Sequence, residues 1–143
     1  MQIKLLTDYA IRFVLYLAEQ GHTQPVPGSD IAAAMGISPG YIRKVAQYLR
    51  RAGIVGAGQG FGGGFFLIRD PRTLSLYEVM AAAEDTMRLN RCLDDPNLCS
   101  RGAAPACKVH QYLGDLQEEI EARLKQCMVI ELIEGYGDSE GLQ

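Results

Sequence analysis

The chain has 143 residues, of which 48% are apolar and 22% are charged, enough for one hydrophobic core with an appendage but too few for two full domains. It has no run of about 20 apolar residues and no continuous apolar stretch near its N-terminus, so we expect neither a membrane span nor a signal peptide, and a cytoplasmic protein. The net charge of −3 is unusual for a nucleic-acid-binding protein, and only the uneven distribution of charge along the chain favours that class.

Three helices are predicted in the first third of the chain. They span Thr7 to Glu19, Asp30 to Met35 and Pro39 to Arg51. Hydroxyl groups at Thr7 and Ser29 are suited to cap the first two helices, since each can accept a hydrogen bond from a free backbone N–H, and Ser38 followed by Pro39 marks the third helix start. Pro39 favours a helix start because its missing N–H would have no partner there.

A β-hairpin and a fourth helix are predicted next. The apolar runs 54–55 and 65–68 flank a glycine-rich stretch, which indicates two short strands with a flexible tip; a plain linker is the alternative. Ser75 and Glu78 form the S-x-x-E pattern of a capping box, so we expect a helix from there to about Glu84.

A long helix is predicted near the end of the chain, from about Pro105 to Glu134, after an unusually long loop over residues 88–105. Its apolar residues form one stripe: Val109, Leu113, Leu116, Ile120, Leu124 and Cys127. At about 1.5 Å per residue, the helix is longer than so small a core can cover. The surplus apolar face predicts a homodimer, with packing inside one chain as the alternative. Cys127 is expected to be a buried residue of the stripe.

Residues 31–55 have the layout of a helix-turn-helix. The outward face of its second helix is predicted to carry side chains that bind phosphates and read base edges: Ser38, Tyr41, Arg43, Lys44, Gln47, Arg50 and Arg51. Between residues 31 and 72, six bases against the single acid Asp70 give a charge of +5, whereas residues 111–143, with eight acids and two bases, carry −6. This pattern, followed by a glycine-tipped hairpin, predicts a winged helix that binds double-stranded DNA; a basic face for protein contacts is the alternative.

The elements together predict a mainly α fold with a small β-hairpin wing. We expect a winged helix-turn-helix domain over residues 1–87, a cysteine-bearing sensor loop over residues 88–107, and a dimerisation helix with a tail over residues 108–143. The sequence has neither a nucleophile–base motif nor a phosphate loop that opens a helix, so no enzyme is predicted.

Three cysteines stand where the long loop meets the last helix, in the pattern Cys92-x6-Cys99-x7-Cys107, and His110 follows one helical turn later. In a reducing compartment such thiols favour metal or redox chemistry over disulfides. Thiolates on a flexible loop can converge on one soft metal centre. Three thiolates leave one coordination position open, which suits a sensor. The spacing lacks the C-x2-C pairs of structural zinc sites, although zinc remains an alternative.

Several segments together resemble the Rrf2 family of bacterial regulators. They are the opening TDYAIR, the helix-turn-helix, the glycine wing GQGFGGGF, the SLYEVM helix and the three cysteines before a long helix. The resemblance covers nearly the whole chain. It implies a homodimer, a winged-helix DNA reader, and a [2Fe–2S] or [4Fe–4S] cluster whose state alters promoter binding.

The resemblance also implies ligands for that cluster. Cys92, Cys99 and Cys107 match the cluster cysteines of the family, Asp8 matches an aspartate ligand of some members, and His110 matches a histidine ligand of others. Two departures stand out: the cysteines are further apart than is usual, and Gln59 replaces an arginine common in the wing. A glutamine has no charge to favour a narrow minor groove, so the wing is expected to read DNA shape less strongly.

The expected function is therefore a transcriptional regulator, a repressor, that binds a pseudo-palindromic promoter and senses redox state, nitric oxide or iron–sulfur status through its cluster. Two other hypotheses remain open. One is an iron–sulfur carrier or electron-transfer protein on a winged-helix scaffold, which would not need the basic helix. The other is a thiol-based or zinc-based regulator without a cluster.

Overall fold

Helices make up more than half of the residues that the structure describes, and one short antiparallel hairpin interrupts them there. A computed structural model describes residues 1–21, 25–58 and 63–133. Its elements are α1 (Leu5–Glu19), α2 (Gly28–Met35), α3 (Pro39–Arg51), β1 (Val55–Ala57), β2 (Phe65–Leu67), α4 (Leu76–Ala83), α5 (Arg91–Asp94) and α6 (Lys108–Gln126), with 3₁₀ helices at Pro96–Leu98 and Val129–Leu132. The predicted mainly α fold with a β-hairpin wing is confirmed.

The start of α1 differs from the prediction. The helix begins at Leu5 with Lys4 in the capping position, so Thr7 is not its cap. Thr7 is buried within the helix, and its hydroxyl donates a hydrogen bond of 2.6 Å to Oε1 of Glu84. The Lys4 backbone N–H donates to the same carboxylate oxygen, at 3.1 Å. Glu84, at the end of α4, therefore fixes the start of α1 from another helix, and no side chain caps α1.

The helix-turn-helix agrees with the prediction except at the start of α2. That helix begins at Gly28 after Pro27, so Ser29 lies inside the first turn and does not cap it. Gly36 ends α2 with φ of +65°, a left-handed conformation that favours glycine. Helix α3 starts at Pro39 as predicted, and Ser38 caps it, since its Oγ accepts from the Tyr41 N–H at 3.3 Å.

The wing consists of β1 and β2, whose register pairs Val55 with Leu67. Its strands are three residues long, and Val26 adds an isolated antiparallel bridge to Phe65. Gly64 is required at this point, because a Cβ there would lie 2.4 Å from the backbone carbonyl of Val26.

The predicted capping box of α4 is confirmed. The Glu78 N–H donates to Oγ of Ser75 at 3.2 Å, and the Ser75 N–H donates to Oε2 of Glu78 at 2.9 Å. Arg69, which follows the wing, donates to Oε1 of Glu78 at 2.8 Å and so ties the hairpin to this helix start.

The last long helix is shorter than predicted at both ends, spanning Lys108–Gln126 rather than 105–134. It stops because the chain turns back onto the segment before α4: the Val129 N–H donates to the Leu74 carbonyl, and the Leu76 N–H donates to the Cys127 carbonyl, both at 2.8 Å. Cys127 thus lies beyond the helix end and is only half-buried, not a buried stripe residue as expected. Its partial burial raises the pKa of its thiol.

The hydrophobic core lies between α1, α3 and α4 and is closed by the wing and the returning tail. Its largest fully buried side chains include Phe13, Leu17, Ile31, Leu49 and Leu74, and Val129 joins them from the tail. Among residues 1–21, 25–58 and 63–133, no helix has the length and apolarity needed to cross a membrane.

Candidate functional site

The outer face of α3 carries most of the residues predicted to contact DNA. Those that are exposed are Ser38, Arg43, Lys44, Gln47, Arg50 and Arg51. Tyr41 is half-buried, and Gln59 lies outside the described residues. An open groove beside α3 is lined by Arg43, Ala46, Gln47, Arg50, Arg51 and Phe65. Guanidinium and amide donors thus share one surface next to the wing, as phosphate and base contacts require.

Two aromatic rings join α3 to α1. Tyr9 and Tyr41 meet edge to face, with their ring centroids 5.1 Å apart. Cζ of Arg12 lies 5.7 Å from the Tyr9 centroid, and Nζ of Lys44 lies 5.8 Å from the Tyr41 centroid. Arg12 of α1 therefore lies in one row with the basic face of α3. This arrangement could not be predicted from the sequence, because the residues are far apart in the chain.

The three cysteines of the loop and His110 line one cavity of about 340 Å³, the cysteine pocket. Cys92 lies in α5, Cys99 directly follows the first 3₁₀ helix, and Cys107 is the capping residue of α6. His110 lies in the first turn of α6, and its Nδ1 is 3.2 Å from Sγ of Cys92. The structure thus brings together four of the five predicted metal-binding residues.

Backbone N–H groups surround the thiol of Cys99. Hydrogen bonds from the backbone N–H groups of Ala103, Arg101 and Ala104 lower the pKa of its thiol. Gly102 allows this loop to fold around the sulfur, with φ of +61°. Backbone donors aimed at one sulfur favour the thiolate, the form that binds metal or reacts with oxidants.

The donor set of the pocket contains the residue types that hold iron–sulfur clusters. Within the described ranges, no three His, Cys, Asp or Glu side chains are grouped closely enough to hold one metal ion. Cysteine thiolates, with histidine in some centres, bind the separate irons of a cluster and so need not meet at one point. Three thiols and one imidazole around a shared cavity fit that requirement.

Asp8, the fifth predicted ligand, is not among the residues that line the pocket. It stands in the first turn of α1, and its Oδ2 is 2.8 Å from Nη2 of Arg12 one helical turn later. This ion pair accounts for the carboxylate within one chain.

The apolar stripe of α6 is only partly covered. Within α6, only Gln117 is buried. The stripe residue Val109 is 63% exposed, and Tyr112, which lies three residues later and outside the predicted stripe, is 71% exposed. The other stripe residues of the helix are half-buried: Leu113, Leu116, Ile120 and Leu124. The chain therefore leaves an apolar surface along this helix, as the sequence predicted.

Comparison with known proteins agrees with this architecture. The family model Rrf2, described as an iron-dependent transcriptional regulator, matches residues 3–135. The HTH-type transcriptional regulator IscR of Klebsiella pneumoniae (strain 342) is 31% identical over 125 residues, which is 87% of this chain and 75% of that protein.

Solved structures show the same fold at lower sequence identity. T. potens IscR superposes with a TM-score of 0.73 at 20% identity, covering 100% of this chain and 93% of the other. CymR, the global cysteine regulator of B. subtilis, gives 0.72 at 18% identity, covering 92% and 95%. The sequence matches decide the assignment: the chain belongs to the Rrf2 family of helix-turn-helix transcriptional regulators, which bind DNA and are not enzymes.

Proposed function

We propose that the chain represses transcription under the control of an iron–sulfur cluster, [2Fe–2S] or [4Fe–4S], held in the cysteine pocket. The observation that carries the proposal is that Cys92, Cys99, Cys107 and His110 line the same cavity. When bound, the cluster supplies a centre that responds to redox state, nitric oxide or iron–sulfur supply. The chain supplies the thiolates and positions them around one space.

His110 is the fourth ligand that the geometry supports best. Its ring already contacts Cys92 within one chain, at 3.2 Å. Asp8 is the alternative, and it would have to leave Arg12 and reach the pocket from a second copy of the chain. Such a ligand would link cluster loss directly to α1 and so to the DNA-binding domain.

A homodimer completes the proposal. The stripe of α6 is only partly covered within one chain, and a second α6 offers the same apolar surface in a symmetric arrangement. Two copies of α3 would then face successive major grooves of a pseudo-palindromic promoter.

A thiol-based regulator without a cluster is the second candidate. The lowered pKa of Cys99 favours it, because a thiolate reacts directly with oxidants. A carrier or electron-transfer role has less support, since it would not require the basic face of α3.

Anaerobic purification with iron and sulfide analysis separates a cluster-binding protein from a thiol-based regulator. We expect iron and acid-labile sulfide in the wild type, their loss in Cys107→Ala, and an altered visible spectrum in His110→Ala but not in Asp8→Ala. Cys127→Ala is the matched control, because that cysteine lies outside the pocket-lining residues. If the wild-type protein binds promoter DNA but contains neither iron nor sulfide, the cluster proposal is wrong and the thiol-based regulator is the remaining candidate. Unchanged spectra in both His110→Ala and Asp8→Ala would exclude both as ligands.

A further inference from the structure

We infer that Gln117 is a positioning residue that holds the chain before Cys92 against α6 and so sets Cys92 facing His110. The inference rests on the proposed function insofar as Cys92 serves the pocket. Gln117 is 3% exposed, although it belongs to a helix whose other residues are half-buried or exposed. It follows His110 by seven residues, which places both side chains on one face of α6.

The Gln117 amide bonds to backbone groups that have no helix or strand of their own. Its Oε1 accepts from the Leu89 N–H at 2.7 Å, and its Nε2 donates to the Met87 carbonyl at 2.8 Å. Residues 84–90 belong to no helix or strand. Buried backbone groups in such a segment need partners from elsewhere, and one glutamine supplies both an acceptor and a donor.

Further contacts continue along the same face of α6. Nη1 of Arg88 is 2.6 Å from Oε1 of Glu121, the oxygen that also accepts from Nε2 of Gln117 at 2.9 Å. Nearer the pocket, a Cβ on Gly114 would lie 3.8 Å from Cδ2 of Leu93, so α6 and α5 approach each other closely there. Positions 110, 114, 117 and 121 are spaced so that they form one row, to which residues 87–93 dock.

Only an amide at position 117 satisfies this arrangement. A leucine would fill a similar space but would leave the Leu89 N–H and the Met87 carbonyl without partners, at the full desolvation cost of both. A glutamate would keep an acceptor but would lack a donor and would face Glu121. Either change frees the segment that leads into Cys92.

The test uses the full-length apoprotein, so that it does not depend on a cluster. Alkylation of Cys92 and Cys99 by iodoacetamide is followed in the same molecules by mass spectrometry, together with amide hydrogen exchange at Leu89. For Gln117→Leu we expect the Cys92 rate and the Leu89 exchange rate to rise by about fivefold to thirtyfold, with the Cys99 rate unchanged. Gln126→Leu makes the same substitution at an exposed position of α6 and should match the wild type.

A spectroscopic readout separates positioning from a general loss of structure. After anaerobic reconstitution, Gln117→Leu should change the visible circular dichroism of the cluster, which Gln126→Leu should not. If Gln117→Leu fails to fold, Arg88→Gln weakens the same docking from the surface and should raise the Cys92 rate about twofold to fivefold. The inference would be overturned if folded Gln117→Leu showed the wild-type rates of Cys92 alkylation and Leu89 exchange. An unchanged rate of Cys92 alkylation in Arg88→Gln would also overturn it. Raised rates in a protein that takes up no iron would support Gln117 and contradict the proposed cluster.

Discussion

At the scale of single residues, α3 separates its folding side chains from its binding side chains. Ile42, Val45 and Leu49 are buried in the core, whereas Arg43 and Lys44 are exposed between them. Substituting the exposed pair therefore removes charge without opening a cavity, and the effect on DNA binding can be measured apart from the effect on folding.

Arg43→Ala and Lys44→Ala should each weaken binding to a cognate promoter. If the lost contact is to a phosphate, the slope of log affinity against log salt should fall by about 1, because one fewer counterion is released. Mobility-shift titrations at several salt concentrations measure both quantities. Arg72→Ala is the control, since Arg72 is exposed but already paired with Asp70 at 2.8 Å. Wild-type binding by both variants would exclude α3 as the recognition helix.

Glu78 should make stability depend on pH. The hydrogen bond from Arg69 lowers the pKa of Glu78, burial opposes this, and the hydrogen bonds from Ser75 add to it. A carboxylate with a lowered folded-state pKa stabilises the protein above its unfolded-state pKa, and this stabilisation is lost as the pH falls through the folded-state value. Glu78→Gln should therefore reduce the free energy of unfolding at neutral pH by up to about 1 kcal/mol, and the difference should vanish in acid.

Denaturant unfolding across a pH series measures this difference. Glu118→Gln, which changes an exposed glutamate on α6, should show little effect at any pH. A deficit in Glu78→Gln that persists unchanged into acid would mean that the carboxylate charge is not its source.

How well single residues could be predicted depended on whether their partners are local. Ser38 and Ser75 cap helices through residues three positions away, so the sequence displays the whole interaction. The partner of Thr7 is Glu84, and the two backbone partners of Gln117 lie 28 and 30 residues before it. A glutamine beside an apolar stripe gives no sign of such distant backbone contacts.

At the scale of elements, the exposed apolar residues of α6 allow the proposed dimer interface to be tested directly. Val109→Glu or Tyr112→Glu should dissociate the proposed dimer, raising its dissociation constant about tenfold or more, because each places a charge in an apolar contact. Gln111→Glu is the matched control on the same helix. Sedimentation velocity over a concentration series measures the change, and stable dimers in both variants would place the interface elsewhere.

Truncation near Gln111 should also abolish dimerisation, but it tests the interface less cleanly. The truncated chain would lose Val129, whose side chain is buried in the core of the winged-helix body. The surface substitutions leave that core intact.

Whether a helix start or end was predicted correctly also depended on whether the residues that fix it are close in the sequence. The start of α3 and the capping box of α4 were predicted correctly because proline, serine and glutamate signals lie within one turn. The start of α1 and the end of α6 were wrong because Glu84, and the bridge from Met128 to Ser75, belong to other parts of the fold. The sequence predicted that Cys92, Cys99 and Cys107 come together, and they line one cavity. It did not predict the hydrogen bonds of Gln117 that hold the chain before Cys92.

At the scale of the whole molecule, the hydrophobic core omits the segment that carries the pocket. Among the described residues, its buried members run from Leu6 to Ala83 and resume only at Val129. Residues 84–128, which include the cysteine pocket and α6, contribute no side chain to that buried set. The predicted boundaries at residues 87 and 107 remain a prediction, but the core is drawn almost entirely from the chain before them.

The returning tail has a further consequence for this arm of residues 84–128. Because the arm contributes no side chain to the hydrophobic core, we expect it to open locally at a lower free-energy cost than global unfolding. Val129 holds its far end in the core, and Ala83 holds its near end. An arm that opens therefore remains tethered at both ends, and its reclosing is an intramolecular step at high effective concentration. The pocket can thus lose and recover its order repeatedly while the body that reads DNA stays folded.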